Sequence, residues 1–327
     1  MKNPFEDQKY KQGIESFLSM YLDKYQFVLG ADLEAYVKSD EMFSKDIPCN
    51  IYFILKRPKV TIDPDSFKSQ GKEIRFDLIV HQPNKKHAIS IVTEIHNAKS
   101  ELELFTEYPF NFFVIGDKYE PLLVARPSSL IDHIPYQNNI KSDVLDYEIL
   151  YIGQAYGKNG KRTALDRLAS HETVQKIYTH ALTNNPDSDI WIMLTHFSQV
   201  SALFSLGEDL LKDPEMSDKE EEKINDFFKN EGLKFSEKQK INFTEAALIK
   251  LFEPPYNSEF KNSFPDKNHK SYTECYSLDV RSLTIELDTS EMVRHIYTKK
   301  SGRKKYHREM FEFENDEDRI SLLGMFS

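Results

Sequence analysis

Short apolar segments of strand length recur along this chain, separated by polar turns, and that rhythm restricts it to a packed fold built largely on sheet. Ile51 to Leu55 is a continuous apolar run. Ile74, Phe76, Leu78 and Val80 alternate with mostly polar neighbours up to the polar turn His81 to Lys86, and His87 to Ile95 is apolar-rich again. Alternation with period two buries one face of a strand, so two such stretches around a short turn predict a β-hairpin. Further strands are predicted at Phe110 to Ile115, Pro121 to Ala125, Glu148 to Ile152 and Ile190 to Leu194, with one or two over Tyr272 to Leu287. The single Trp191 belongs with Ile190 and Ile192 in a buried strand.

Helical spacing occurs elsewhere. Ile14, Phe17, Leu18, Tyr21 and Leu22 recur at intervals of three and four, which predicts a helix within the first forty residues. A second helix is predicted from about Thr163, which can cap its first turn, to Leu182. Ser201 to Lys238 reads as charged and mostly helical, and Thr244 to Phe252 as a helix stopped by Pro254 and Pro255. The last thirty residues are too charged to assign. The fold class is therefore α/β of the α+β kind.

With 327 residues, 39% hydrophobic and 13% aromatic, the chain can bury more than one core, and two domains are expected. Arg126 to Asp146, with Pro127, Pro135 and the polar string Gln137, Asn138, Asn139, reads as the connection. The division expected is an α+β unit over 1–135, a second unit over 145–290 and a charged segment over 291–327. No internal repeat or low-complexity tract is present.

Cys49 and Cys275 stand far apart without a CxxC neighbour, so neither a disulfide framework nor a thiolate zinc site is expected. No run of eighteen apolar residues occurs and the amino terminus lacks a signal-like apolar core, which predicts a soluble, cytoplasmic protein with no membrane span. A net charge of −10 argues against a uniformly basic nucleic-acid binder, yet binding needs only one positive face. Acid is concentrated at Asp218 to Glu222 and Glu312 to Asp318, and base at Lys299, Lys300, Arg303, Lys304, Lys305, His307 and Arg308. Each run, taken singly, reads as a solvated face or tail.

Three pieces carry chemistry in order: Tyr151-Ile152-Gly153 at the end of a strand, Arg167-Leu168-Ala169-Ser170-His171 on the next helix, and TEAALIKLFEPPYN from Thr244 to Asn257. Hydrolysis of a phosphodiester needs a cation at the non-bridging oxygens, a base for the attacking water and a metal ligand. Glu245 offers a hard oxygen suited to Mg²⁺ or Mn²⁺, Arg167 a permanently charged fork for phosphate, and His171 lies one helical turn beyond Arg167 on the same face. Each has an ordinary reading as well. Tyr151 suits a core strand, Arg167 suits an ion pair with Asp166 or Glu172, Glu245 suits a first-turn acid after Thr244, and Asn257 suits a turn.

Taken together, the pieces resemble the GIY-YIG nuclease family over about 120 residues. The resemblance implies a small mixed-sheet nuclease domain with a helical insertion, a divalent-metal-dependent endonuclease activity on DNA, and roles in restriction, defence or repair. It implies that Tyr151 deprotonates or orients the water, that Glu245 holds the metal and that Asn257 ties down the site's backbone; Gly153 and Arg162 are expected at the substrate. The pair of Arg167 and His171 is similar to that of the family's restriction-enzyme branch. Arg162 rivals Arg167, because the loop from Gln154 to Arg162, with Gly157 and Gly160, is longer than in compact members. The pattern departs at one point: no GIY triplet stands about ten residues before Tyr151, where Lys141 to Leu145 lies instead, leaving Tyr147 and Tyr136 as candidates for the first tyrosine. The amino-terminal part would then select the target or bind a protein partner. A binding module without cleavage and an RNA-directed nuclease are the alternatives on the same pattern. A weaker resemblance joins Asp77 and Glu94-Ile95-His96 to the metal carboxylates of PD-(D/E)xK nucleases, with His96 in place of the lysine.

Overall fold

The computed structural model describes residues 14–39, 43–44, 47–133, 142–154, 172–205, 215–258, 261, 264–265 and 280–313. The fold is mixed α/β and rich in strand. In chain order the strands are β1 Ile14–Leu29, β2 Ile51–Pro58, β3 Val60–Gln70, β4 Glu73–Gln82, β5 Lys85–Glu94, β6 Glu103–Thr106, β7 Phe113–Gly116, β8 Pro121–Ala125, β9 Tyr147–Gln154, β10 Ser188–Ser205, β11 Val280–Asp288, β12 Ile296–Tyr297 and β13 Tyr306–Glu312. The helices are α1 Leu33–Ser39, α2 Pro127–Leu130, α3 Glu172–Asn184, α4 Glu215–Lys229 and α5 Glu237–Phe252. None of them is long and apolar enough to cross a membrane.

Seven strands form one curled sheet in the order β12-β9-β2-β10-β1-β11-β13. The pairs β1 with β11 and β12 with β9 are parallel, and the remainder are antiparallel. β2 explains why an uninterrupted apolar run was needed. It lies between β9 and β10 and is covered on both faces, so every residue from Ile51 to Leu55 is at most 2% exposed. Ile51, Phe53 and Leu55 face the core cluster that contains α5, whereas Tyr52 and Ile54 face the cluster that contains Ile177 and Ala181 of α3. Trp191 is buried on β10 with the α5 cluster.

The amino-terminal helix expected from the spacing of Ile14, Phe17, Leu18, Tyr21 and Leu22 is instead β1, and only the short α1 follows it. The reason is that both faces of the strand carry apolar residues: Leu18, Met20 and Leu22 face the α5 cluster, while on the other face Phe17 packs on Phe204 and Tyr21 is exposed, so apolar neighbours mimic a spacing of three and four. The register of β1 on β10 then shifts between Leu22 and Lys24, and this bulge keeps Tyr25, Phe27 and Leu29 on the α5 side. The helix expected at Thr244 begins earlier, with Ser236 accepting from the Gln239 N–H as N-cap. It ends at Glu253, whose φ of 46° is the left-handed turn that closes many helices. The charged helical stretch expected from Ser201 is strand to Ser205 and helix over α4.

Residues 60–125 supply two three-stranded antiparallel sheets, β3-β4-β5 and β6-β7-β8, which share a third core containing Phe76, Phe113 and Ile131. A buried side chain that joins this core to the large sheet is Arg57, 1% exposed on β2. Its guanidinium donates to Asp132 at 2.6 Å, to the Tyr147 hydroxyl at 2.7 Å and to the Ser128 carbonyl at 2.5 Å. It also stacks over Tyr147 and Trp191, 4.9 and 5.0 Å from the ring centroids. Arg294 adds a second bond to Asp132, and Arg303 bonds Asp146.

Candidate functional site

The site forms where β9 ends beside β2, and a bulge shapes it. Between Ile54 and Leu55 the register on β9 slips past Leu150, so Leu150 and Tyr151 both face α3 while Ile149 and Ile152 face α5. Tyr151 is thereby turned, half-buried, toward the α3 side. Directly across the ladder, Tyr52 pairs with Gly153. The rings of Tyr52 and Tyr151 lie 6.2 Å apart at an interplanar angle of 41°. A Cβ on Gly153 would stand 2.6 Å from the Tyr52 hydroxyl and 2.7 Å from the Tyr151 ring, so only glycine fits between the two tyrosines.

Glu245 approaches the same strand end from α5. It sits in the third turn of the helix rather than the first, and 9% of it is exposed. Its two carboxylate oxygens are both engaged by Gln154: Oε1 accepts from the backbone N–H at 3.0 Å and Oε2 from the side-chain Nε2 at 2.7 Å. The same Nε2 donates to Asn242 Oδ1 at 3.0 Å. Asn257, buried after the turn at Pro254 and Pro255, closes the site from below. Its Oδ1 accepts from the Ile152 N–H at 2.9 Å and its Nδ2 donates to the Ile152 carbonyl at 2.8 Å. The neighbouring Tyr256 N–H bonds the Leu150 carbonyl at 3.1 Å, so the turn grips β9 at both Leu150 and Ile152.

Of the residues singled out in the sequence, Tyr151, Gly153, Glu245 and Asn257 thus converge on the last four residues of β9. Arg162, Arg167 and His171 lie outside the described residues. Tyr147 does not reach the site: it is buried in the α5 cluster, stacks on Phe27 with centroids 4.7 Å apart, and takes the Arg57 hydrogen bond. Burial pushes its phenol up to about 12. Tyr136 lies outside the described residues. The tyrosine that the fold sets beside Tyr151 is Tyr52, which the sequence did not single out: it follows Asn50 and Ile51 on a predicted strand, but nearly a hundred residues before Tyr151. Asp77 and Glu94 are not brought together: Asp77 faces Ser90 and accepts its hydroxyl at 2.6 Å, while Glu94 faces Glu73.

An open cleft of about 890 Å³ lies between α3, with Gln175, Thr179, His180 and Thr183 on one wall, and Tyr256, the residue before Asn257, on the other. His180 Nδ1 and the Tyr256 hydroxyl are 2.6 Å apart across it. No group of three or more His, Cys, Asp or Glu forms a metal cage among the described residues. One buried carboxylate flanked by a neutral amide oxygen is nevertheless a donor set suited to Mg²⁺, which keeps several waters and takes phosphate oxygens from its substrate.

Residues 122–277 match the GIY-YIG catalytic domain, an endonuclease family. The match contains β9, α3, α5 and Asn257, and begins well after β2, so Tyr52 lies outside it. No curated protein and no solved structure gives a match.

Proposed function

We propose that this chain is a divalent-metal-dependent endonuclease that hydrolyses phosphodiester bonds of DNA at the end of β9. The observation that carries the reading is the convergence of Tyr151, Gly153, Glu245 and Asn257 on one strand end, within the segment that matches the nuclease domain. Glu245 is the residue that would hold Mg²⁺ or Mn²⁺. The bound ion would supply charge stabilisation for the phosphoryl oxygens and would acidify a water.

The chain's own groups do the rest. Tyr151 orients the attacking water and takes its proton, and Tyr52, the tyrosine set beside it, holds that phenol in place. Arg167, with Arg162 as its rival, bonds the phosphate oxygens, and His171 reaches the same phosphate from the next helical turn. Asn257 keeps the β9 backbone rigid, so that Tyr151 and Gly153 stay in register with Tyr52. The open cleft along α3, with Gln175, Thr179, His180 and Thr183 on its wall, offers the nucleic acid a path away from the reacting phosphate. Residues 145–290 are read as the nuclease unit, completed by β1 and β2, and the small sheets of residues 60–125 as the part that selects the target or a protein partner in the cytoplasm.

The test is cleavage of supercoiled plasmid, single-stranded DNA and RNA with Mg²⁺ or Mn²⁺. Wild type should nick plasmid, and Glu245→Ala and Arg167→Ala should each lose at least about 100-fold in rate. Cleavage confined to RNA would change the substrate class. DNA binding without cleavage under any of these conditions would replace the enzyme with a binding module.

A further inference from the structure

The basic run near the carboxy terminus is folded onto the helix that carries Glu245. Between Met292 and Arg308 the sequence holds no acidic residue, although the whole chain has a net charge of −10. After β12 this stretch makes a compact turn from Thr298 to Lys304, where it bridges back to Ile296 before entering β13. Buried Thr298 and Ser301 lock the turn. The Thr298 N–H donates to the Ser301 hydroxyl at 3.0 Å, the Ser301 N–H to the Thr298 hydroxyl at 3.2 Å, and the Gly302 N–H to the Thr298 carbonyl at 3.1 Å. The Thr298 hydroxyl donates to the carbonyl of Phe252, the last residue of α5, at 2.5 Å. Lys300 bonds the Lys250 carbonyl at 2.6 Å and the Glu253 carboxylate at 3.0 Å.

The charge presented there is positive. Lys250, Lys261 and Lys300 stand around the single carboxylate of Glu253 and hold it below the usual carboxylate range, the Lys300 hydrogen bond first. Lys250 donates to the Lys261 carbonyl at 2.6 Å, a neutral acceptor that leaves its charge uncompensated. Arg303 is engaged by Asp146 and the Tyr297 ring, and Lys305 by the Met292 carbonyl. Lys299 and Lys304 are exposed, and among the described residues neither ammonium has a hydrogen-bond or ion-pair partner. Like charges gathered on one rigid turn repel each other, and a bound polyanion turns that repulsion into attraction.

Placement identifies the polyanion. Glu245 and Phe252 lie on the same helix, roughly 10 Å apart along its axis, which is the length of about three base pairs of duplex. We propose that the turn from Thr298 to Lys304, with Lys250 and Lys261 beside it, is a docking surface for the phosphate backbone of double-stranded DNA, a few base pairs from the bond that is cut. This rests on the reading of the Glu245 end of β9 as a nuclease site and extends it, since the turn lies beyond the residues 122–277 that match the catalytic domain. The last carbonyls of α5, whose partial negative charge would repel phosphate, are covered by the Thr298 hydroxyl and the Lys300 ammonium. Lysines are point charges that hold phosphates without reading bases, so this surface supplies affinity and orientation and leaves sequence choice to other parts of the chain.

The experiment measures binding of the purified full chain to a fluorescent DNA duplex by anisotropy in EDTA, over about 50 to 200 mM salt, so that neither metal nor cleavage enters the readout. Lys299→Ala/Lys304→Ala should raise the Kd about 10- to 100-fold and lower the slope of log affinity against log salt by about 1 to 2. Lys299→Arg/Lys304→Arg should bind as wild type does. Lys229→Ala/Lys234→Ala removes the same charge from exposed positions that precede the opposite end of α5, a helix about 24 Å long, and should change neither quantity. Each variant is checked for a wild-type melting transition. Equal losses in the two alanine pairs, or an unchanged slope in Lys299→Ala/Lys304→Ala, overturn the docking surface, as does a wild type that binds no duplex. So does a Lys299→Ala/Lys304→Ala variant that keeps its DNA binding and instead loses binding to phosphatidylserine vesicles, which would assign the turn to a membrane. Metal-dependent plasmid cleavage that Glu245→Ala abolishes tests the nuclease site by itself, so that reading can stand while the docking surface falls.

Discussion

Gly153 is the residue at which sequence and geometry constrain each other most tightly. A methyl group there meets the Tyr52 hydroxyl and the Tyr151 ring at 2.6 and 2.7 Å, so Gly153→Ala must push both rings aside. The expected cost is about 1–3 kcal/mol of stability and about 10- to 100-fold in cleavage rate, read by denaturant titration and by plasmid nicking. Asn257→Ala would strand the Ile152 N–H and carbonyl in the core, and a loss of about 2–4 kcal/mol in the same titration is expected. A pH effect follows from His307, which is 2% exposed and lies against Phe252 with ring centroids 5.0 Å apart. Burial, aided by Lys304, lowers its folded pKa, so the native state resists a proton that the unfolded chain accepts near 6.5. Stability should therefore hold above about pH 6.5 and fall as pH drops below it, and His307→Gln should flatten that slope in melts at pH 7.5 and 5.5. At this scale the convergence of Tyr151, Gly153, Glu245 and Asn257 in the candidate site was legible, because they occur in one ordered pattern. Tyr52 was hidden because only strand pairing brings it beside Gly153, and pairing across so long an interval leaves no local trace.

The elements were less legible, each for a specific reason. β1 imitates a helix because apolar residues stand on both of its faces, Leu18 and Leu22 on the side of the α5 cluster and Phe17 and Tyr21 on the other. Deleting Asp23 would make Leu22 and Lys24 consecutive, as their partners Phe197 and His196 already are, and leave every buried residue on its face, whereas inserting one alanine after Met20 would turn either Leu18 and Met20 or Leu22, Phe27 and Leu29 outward. A cooperative melting transition is expected for the deletion and its loss for the insertion; a wild-type transition in the insertion would overturn this reading of the register. α5 begins at Glu237 although its first residues, Glu237, Lys238, Gln239 and Lys240, carry no apolar stripe. Ser236→Ala should cost about 1 kcal/mol by thermal unfolding, whereas a helix starting at Thr244 would be indifferent to it. Within that helix the Thr244 hydroxyl bonds back to the Lys240 carbonyl at 2.6 Å, which is why a residue that looks like a cap is not one.

At the scale of the molecule, the large sheet draws β1 and β2 from the first 58 residues and its other five strands from residue 147 onward. The predicted connection from Arg126 to Asp146 is not a passive stretch at its described ends. Ser128 and Asp132 bond Arg57, and Asp146 bonds Arg303 and the His295 backbone. Asp132→Ala would leave Arg57 and Arg294 buried without their shared carboxylate, and a loss of about 3–5 kcal/mol by denaturant titration is expected. Composition suggested more than one core, which the separate clusters of the large and small sheets express; it could not indicate which strands would share a sheet. That sharing also has a consequence during synthesis. β1 is made early, yet its antiparallel neighbour β10 is complete only at Ser205, roughly 175 residues after Leu29 or about 9–35 s at 5–20 residues per second, and its parallel neighbour β11 only at Asp288, roughly 260 residues after it. Until β10 is made, a sixteen-residue ribbon bearing Phe17, Leu18, Met20 and Phe27 has neither of its strand partners, and its β11 edge stays open longer still, which exposes it to mispairing during synthesis.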